Sequence, residues 1–233
     1  MKICYLINKK YFNLTLTSIS SIKRFYKSCK KIEFYIFHFG DLEEEKNNDI
    51  NFVKIEQTNY PFFLHRCFLF DYFNEKIIFI DSDTICQTNI EKLYNIDLDG
   101  KVLGAVQHNW LQTHKIAFTT YNPTAELLPH IIKDDYPFFN AGVLLVDCEK
   151  WRDCNFTTKV LSLFETYKKE KKYCWNDEVA LNVVLGRNFT KFLDVKWNYN
   201  MHNGAKYTRM YISHNYGQTK NLLRSTVNLN DLL

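Results

Sequence analysis

Apolar runs without polar alternation and stretches with helical spacing take turns from residue 3 to residue 80. Ile3-Cys4-Tyr5-Leu6-Ile7 reads as a strand covered on both faces, which needs no polar side. After a loop at Asn8-Lys9-Lys10-Tyr11, the segment Phe12 to Tyr26 places Leu14, Leu16, Ile19, Ile22 and Phe25 on one face of a helix. Phe34-Tyr35-Ile36-Phe37 predicts a second strand and Asn51 to Ile55 a third, with a charged surface piece at Leu42 to Asn47 between them. Leu64 to Phe73 reads as a helix that leads into Ile77-Ile78-Phe79-Ile80, again a fully buried strand. This alternation predicts an α/β domain on a mostly parallel sheet, of nucleotide-binding character.

Further on, Ile90 to Tyr94 predicts a short helix and Val102 to Val106 a strand. Asn109 to Asp135 has weak periodicity and two prolines, Pro123 and Pro129, and reads as a functional loop or lid. Phe138 to Val146 is an apolar strand interrupted by Asn140-Ala141-Gly142, where glycine permits a bulge or a close backbone approach. Helices are expected at Thr157–Lys169 and Asp177–Leu185, and a strand at Met210–Ser213. Without a linker, repeat or low-complexity tract, residues 1–233 are expected to form a single domain. Residues 1–106, with the strand–helix alternation, would be its nucleotide-binding half, and 107–233 its second half.

Composition narrows the function. Apolar residues make up 46% of the 233 residues, enough for a sizeable core. A net charge of +4, with lysines concentrated only at Lys27–Lys31 and Lys168–Lys172, is too mild to argue for nucleic acid. No apolar run reaches the ~18 residues of a membrane span, and Met1-Lys2 opens no secretory signal. The seven cysteines are odd in number and lack metal-ligand spacing, so they read as reduced packing thiols in a cytoplasmic protein.

The candidate chemistry begins where the run Ile77–Ile80 ends, in Asp81-Ser82-Asp83. In open α/β sheets ligands bind beyond the carboxyl ends of the strands. Two carboxylates there can hold a divalent cation, whose usual anionic partner is a phosphate. The competing reading is a plain turn, which Asp also favours.

Four stretches in order carry a resemblance: Ile77–Asp83 with Thr84-Ile85; Asn140–Asp147 with Trp151-Arg152; Asp177-Glu178-Val179-Ala180-Leu181-Asn182; and His214-Asn215-Tyr216-Gly217-Gln218-Thr219-Lys220. Together they resemble family 8 of the retaining glycosyltransferases, the group of glycogenin and the bacterial lipooligosaccharide galactosyltransferases. The resemblance implies a glycosyltransferase A-type fold, with a mixed, mostly parallel central sheet flanked by helices. It implies manganese, with magnesium as the alternative, on Asp81, Asp83 and His214, holding the diphosphate of a uridine diphosphate sugar. Two carboxylates and an imidazole suit manganese better than calcium. Gly217 and Lys220 would complete the diphosphate contact, although Asn221-Leu222 stand where the family often has Pro-Trp.

The resemblance also assigns a base pocket to Asn8 and Tyr11. Asn8 replaces the family's Asp, but an amide can both accept from and donate to a uracil edge. Arg66 is a phosphate or sugar contact, or else a surface arginine. Asn140, Ala141 and Gly142 would line the donor sugar, and Asp177 would hold its hydroxyls. Glu178 stands where the family commonly has Gln, close to the reacting carbon. It could act on the transition state or as a nucleophile, or simply be an acid favoured at a helix start. The expected reaction moves galactose or glucose to a hydroxyl of a saccharide or glycolipid acceptor, which the Asn109–Asp135 region would meet. Membrane contact is expected to be peripheral at most, at the inner face.

Two rivals remain at this level. A phosphatase of the haloacid-dehalogenase type also uses Asp-x-Asp after a buried strand. Ile85 stands where it needs Thr or Val, and its later acidic cluster is missing. A non-catalytic nucleotide-sugar-binding module would share the fold without the reaction.

Overall fold

The computed structural model describes residues 1–40, 42, 49–108, 111–113, 115–117, 136–169, 177–200 and 210–215. In chain order the elements are β1 (Lys2–Leu6), α1 (Phe12–Phe25), β2 (Glu33–His38), β3 (Ile50–Lys54), α2 (His65–Tyr72), β4 (Lys76–Ile80), β5 (Thr84–Cys86) and α3 (Glu91–Tyr94). There follow β6 (Leu103–Gln107), β7 (Phe139–Asp147), α4 (Cys148–Asp153), α5 (Phe156–Lys169), α6 (Asp177–Phe189), β8 (Thr190–Leu193), β9 (Tyr199–Asn200) and β10 (Ile212–His214). The main sheet is mixed and seven-stranded, in the order β3-β2-β1-β4-β7-β6-β8. Short 3-10 turns precede α1, α2 and β9. The expected strands and helices of the first eighty or so residues are present within a residue or two, as apolar runs of this length dictate. Apart from Leu42, the charged piece at Leu42 to Asn47 lies outside the described residues, as does most of the Asn109–Asp135 loop.

The chain divides into two compact units. The first comprises Met1–Asn59, Ile77–Ile96 and Asp194–Leu233. Its strands β3, β2, β1 and β4 are all parallel. Ile3, Cys4, Tyr5, Phe34, Ile36, Ile77 and Ile78 are fully excluded from solvent, as a sheet covered on both faces requires. A small second sheet runs β5-β10-β9, with β10 antiparallel to β5 and parallel to β9. The α1 face departs from expectation. Leu16 and Phe25 are only half-buried, whereas Thr15, Thr17 and Ser18 are buried beside Leu14, Ile19 and Ile22. Those hydroxyls face polar partners, so apolar periodicity alone misplaces the stripe.

The second unit comprises Tyr60–Lys76 and Asp97–Leu193. There β6 lies antiparallel to β7 and parallel to β8. Gly104 lets β6 pass close to its neighbours: a Cβ there would stand 2.9 Å from Leu98 Cδ2 and 3.3 Å from Leu145 Cβ. Trp151 is fully buried, edge-on to Phe70 at 4.9 Å and tilted against Phe156 at 5.3 Å. Its Nε1–H donates to Thr157 Oγ1 at 2.8 Å, and Thr157 donates to Cys67 O at 3.1 Å, so the indole brings no orphaned polar atom into the core. The last helix breaks at Gly186, which takes φ +48°, a conformation only glycine adopts cheaply.

Candidate active site

The apolar strand β4 ends at Ile80, and the next residues are the two acids. Asp83 is buried and Asp81 half-exposed. The pairing of β10 with β5 places His214 opposite Thr84. His214 Nε2 consequently lies 3.4 Å from Asp83 Oδ1 and 3.8 Å from Asp81 Oδ2. One ligand atom from each of the three falls within 4.8 Å of the others, close enough to share one ion. A backbone clamp fixes this approach. Asn215 N–H donates to Asp83 O at 2.8 Å, and the Asn215 side-chain amide reaches the same carbonyl at 3.4 Å.

A relay of hydroxyls shapes the loop that carries the acids. Thr84 Oγ1 donates to Asp81 O at 2.9 Å, since a carbonyl can only accept. Thr84 has one proton, so the 2.9 Å contact with Ser18 is donated by Ser18, and the 3.0 Å contact of Ser18 with Tyr5 by Tyr5. Thr15 Oγ1 in turn has two acceptors within reach of its proton, Tyr11 O at 3.0 Å and Ser82 Oγ at 2.9 Å. Tyr5 is fully buried, and burial drives its phenol well above the usual range, which keeps it a donor. The buried hydroxyls of α1 thus hold Asp81, Ser82 and Thr84 in place.

His214 is set from behind. Its Nδ1 lies 3.0 Å from Asn198 Oδ1, both side chains being buried. An amide oxygen accepts, so Nδ1 carries the proton and Nε2 presents a lone pair to the carboxylates. Asn198 ends a 3-10 turn, Val195–Asn198, capped by Asp194 through Lys196 N–H at 2.9 Å. We expect Asn198→Leu to weaken manganese binding by about 10- to 100-fold, the usual loss when a ligand's orienting partner is removed. Calorimetric titration checks this, and unchanged affinity would mean that Asn198 does not set the ring.

In the first unit the two residues expected to meet the base also have defined places. Asn8 occupies the cap position of the 3-10 turn Lys9–Tyr11 without capping it. Its Oδ1 is buried and has no hydrogen-bond partner among the described residues. An orphaned buried acceptor is costly, and a ligand N–H would satisfy it. Tyr11 is half-buried, with Lys10 Nζ 4.8 Å from its ring centroid.

In the second unit Arg66, Asn140, Ala141, Gly142, Asp177 and Glu178 come together. Arg66 is not a surface residue: it is 8% exposed, with Nε 2.6 Å from Asp177 Oδ2 and Nη1 donating to Ala141 O at 2.7 Å. The two side chains form an ion pair that is buried on both sides. Burial raises the Asp177 carboxyl above the usual carboxylate value, and the Arg66 charge and hydrogen bonds at the helix start oppose that rise. Glu178 Oε2 accepts from Asn140 Nδ2 and from Ala141 N–H, each at 3.0 Å. Gly142 N–H donates to Asn140 Oδ1 at 2.9 Å. Asp177 and Glu178 both sit in the first turn of α6, where the helix dipole favours anions.

Gly217 and Lys220 lie outside the described residues. Several positioning residues receive no role from the sequence: Tyr5, Thr15, Ser18 and Asn198 around the acids, and Asn215 and Asn182, which stand inside the motifs without an assigned part. Only the run of small hydroxyl residues on α1 and the Asn closing the Asp177–Asn182 motif could have signalled them.

The profile of glycosyl transferase family 8 matches residues 7–221. A Haemophilus influenzae protein named a glycosyltransferase is 26% identical over 223 residues, 85% of this chain and 63% of that protein. The lipopolysaccharide 1,2-glucosyltransferase of Escherichia coli is 29% identical over 124 residues, 53% of this chain and 33% of that enzyme. The chain thus spans between about a third and two thirds of these curated relatives. The crystal structure of the galactosyltransferase LgtC, with donor and acceptor sugar analogs, superposes with a TM-score of 0.73 at 18% identity, over 94% of this chain and 88% of that one. That likeness establishes the glycosyltransferase A-type fold.

Proposed function

This chain belongs to glycosyl transferase family 8, and we propose that it moves a hexose, galactose or glucose, from a uridine diphosphate sugar to a hydroxyl of a glycan or glycolipid, with retention at the anomeric carbon. The observation that carries the proposal is the meeting of Asp81, Asp83 and His214. Two carboxylates and an imidazole whose Nε2 faces them fit a divalent cation such as manganese, with magnesium second. Such a cation, when bound, supplies Lewis-acid stabilisation to the departing diphosphate.

The chain's own residues account for the rest of the reading. Asn8 Oδ1 would accept the uracil N3–H, and Tyr11 would stack on the base. The backbone at Asn140–Gly142 would admit the sugar, with Arg66 and Asp177 behind it and hydroxyls held by Asp177. Gly217 and Lys220 would reach the diphosphate. The acceptor hydroxyl would attack from the face that the diphosphate leaves. Among the described residues no helix is long and apolar enough to cross a membrane. We place the protein in the cytoplasm, with at most peripheral contact at the inner face of the membrane, and with no nucleic-acid partner. Residues 1–106 would serve the nucleotide, and 107–233 the sugar and acceptor, within one domain.

One assay separates this reading from its rivals. The protein is incubated with uridine diphosphate galactose, uridine diphosphate glucose and a phenyl phosphate, with manganese or with a chelator. The expected result is release of uridine diphosphate from one of the sugars with manganese only. Inorganic phosphate release from the phenyl ester would favour the phosphatase. Tight nucleotide-sugar binding without turnover would favour the binding module.

A further inference from the structure

The register of β7 against β6 jumps at one place. Ala105 faces Leu144, but the next residue, Val106, faces Asn140. Ala141, Gly142 and Val143 therefore have no facing residue on β6, and side chains take over backbone groups there. Ala141 N–H goes to Glu178 Oε2, Ala141 C=O to Arg66 Nη1, and Gly142 N–H to Asn140 Oδ1. Just before the bulge, Asn182 pairs with both backbone groups of Phe139 at 2.8 Å, in the manner of a missing strand. Glu178 and Asn182 are four apart on α6 and so share one helix face, and Asn182 Nδ2 also donates to Glu178 O at 2.8 Å.

Within this arrangement Glu178 is already occupied. One of its oxygens accepts two N–H donors, which fills the in-plane lone pairs of that oxygen. Charge-assisted bonds of this kind are about twice as strong as neutral ones. A group so held is suited to fixing a backbone rather than to attacking a carbon.

We infer that Glu178 is a positioning residue, whose carboxylate holds the Asn140–Gly142 bulge in the shape that receives the donor hexose. This rests on the sugar-transfer reading above and assigns Glu178 a role distinct from that of a nucleophile. Glutamine can offer an amide oxygen to the same two donors, so it should preserve the bulge, whereas alanine removes the acceptor and leaves Ala141 N–H unpaired.

The test compares Glu178→Gln and Glu178→Ala with the parent in three measurements: steady-state kinetics on the uridine diphosphate hexose, affinity for uridine diphosphate alone, and hydrogen exchange of the peptide containing Ala141 and Gly142. Glu178→Gln is expected to stay within about threefold of the parent throughout. Glu178→Ala is expected to speed exchange of that peptide and raise the donor KM about tenfold or more, leaving affinity for uridine diphosphate alone unchanged. A loss of kcat of a thousandfold or so in both variants, with KM unchanged, would overturn the inference in favour of a nucleophile. Faster exchange in Glu178→Ala with unaltered KM would overturn it in favour of a purely structural role. If the parent turns over no sugar nucleotide, the transfer reading fails; the affinities for the intact donor and for uridine diphosphate then decide the role of Glu178.

Discussion

Asp83→Asn is expected to abolish manganese-dependent release of uridine diphosphate and to weaken manganese binding by roughly 100-fold or more, beyond the loss seen for an orienting partner. The substitution is nearly isosteric at a buried position. It leaves the Asp83 carbonyl free to accept Asn215 N–H as before, so the β5–β10 approach should persist. What changes is charge: one of two neighbouring carboxylates that an ion would neutralise becomes a neutral amide. A ligand that binds only the folded state raises its melting temperature. Manganese should therefore stabilise the parent and leave Asp83→Asn unmoved. Equal manganese affinity and equal turnover in the two proteins would refute the metal site.

The largest expected effect on stability is that of Arg66→Met. It removes the countercharge of a buried carboxylate and the donor to Ala141 O together. Breaking one side of a buried ion pair costs about 3–5 kcal/mol, because the remaining charge keeps its desolvation penalty. Urea unfolding reads this directly, and Asp177→Asn added to Arg66→Met should restore part of the loss. The pH dependence has a definite sign. Burial already holds the Asp177 carboxyl above its ordinary value, so the folded state takes up this proton before the unfolded one does. Stability from this group is thus greatest below the ordinary carboxylate range and falls as pH rises through the folded value. Without Arg66 the folded value rises further. The deficit of Arg66→Met should be widest at neutral pH and narrow on acidification; a deficit independent of pH would place the cost elsewhere.

Much of this molecule follows from residues near one another in the chain. Runs such as Ile3–Ile7 and Ile77–Ile80 read as covered strands, being short and bounded by polar residues, and a pair of acids at the end of one of them faces the usual ligand end of such a sheet. The family likewise rests on linear motifs. The sequence alone therefore determined the α/β class, most element positions and the acids most suited to a cation.

Other features exist only once distant segments meet. The buried side of α1 carries Thr15 and Ser18 because the loop at Asp81–Thr84 supplies their hydrogen-bond partners. Arg66 turns inward because Asp177 and the Ala141 carbonyl await it. His214 faces Asp83 through the pairing of β10 with β5, and Asn198 decides which ring nitrogen is turned to the acids. Burying a polar group is tolerated only when a partner is in place, and that partner comes from remote sequence that no local pattern encodes. Tertiary structure alone decided which polar residues face inward and how those near the acids and the bulge are held.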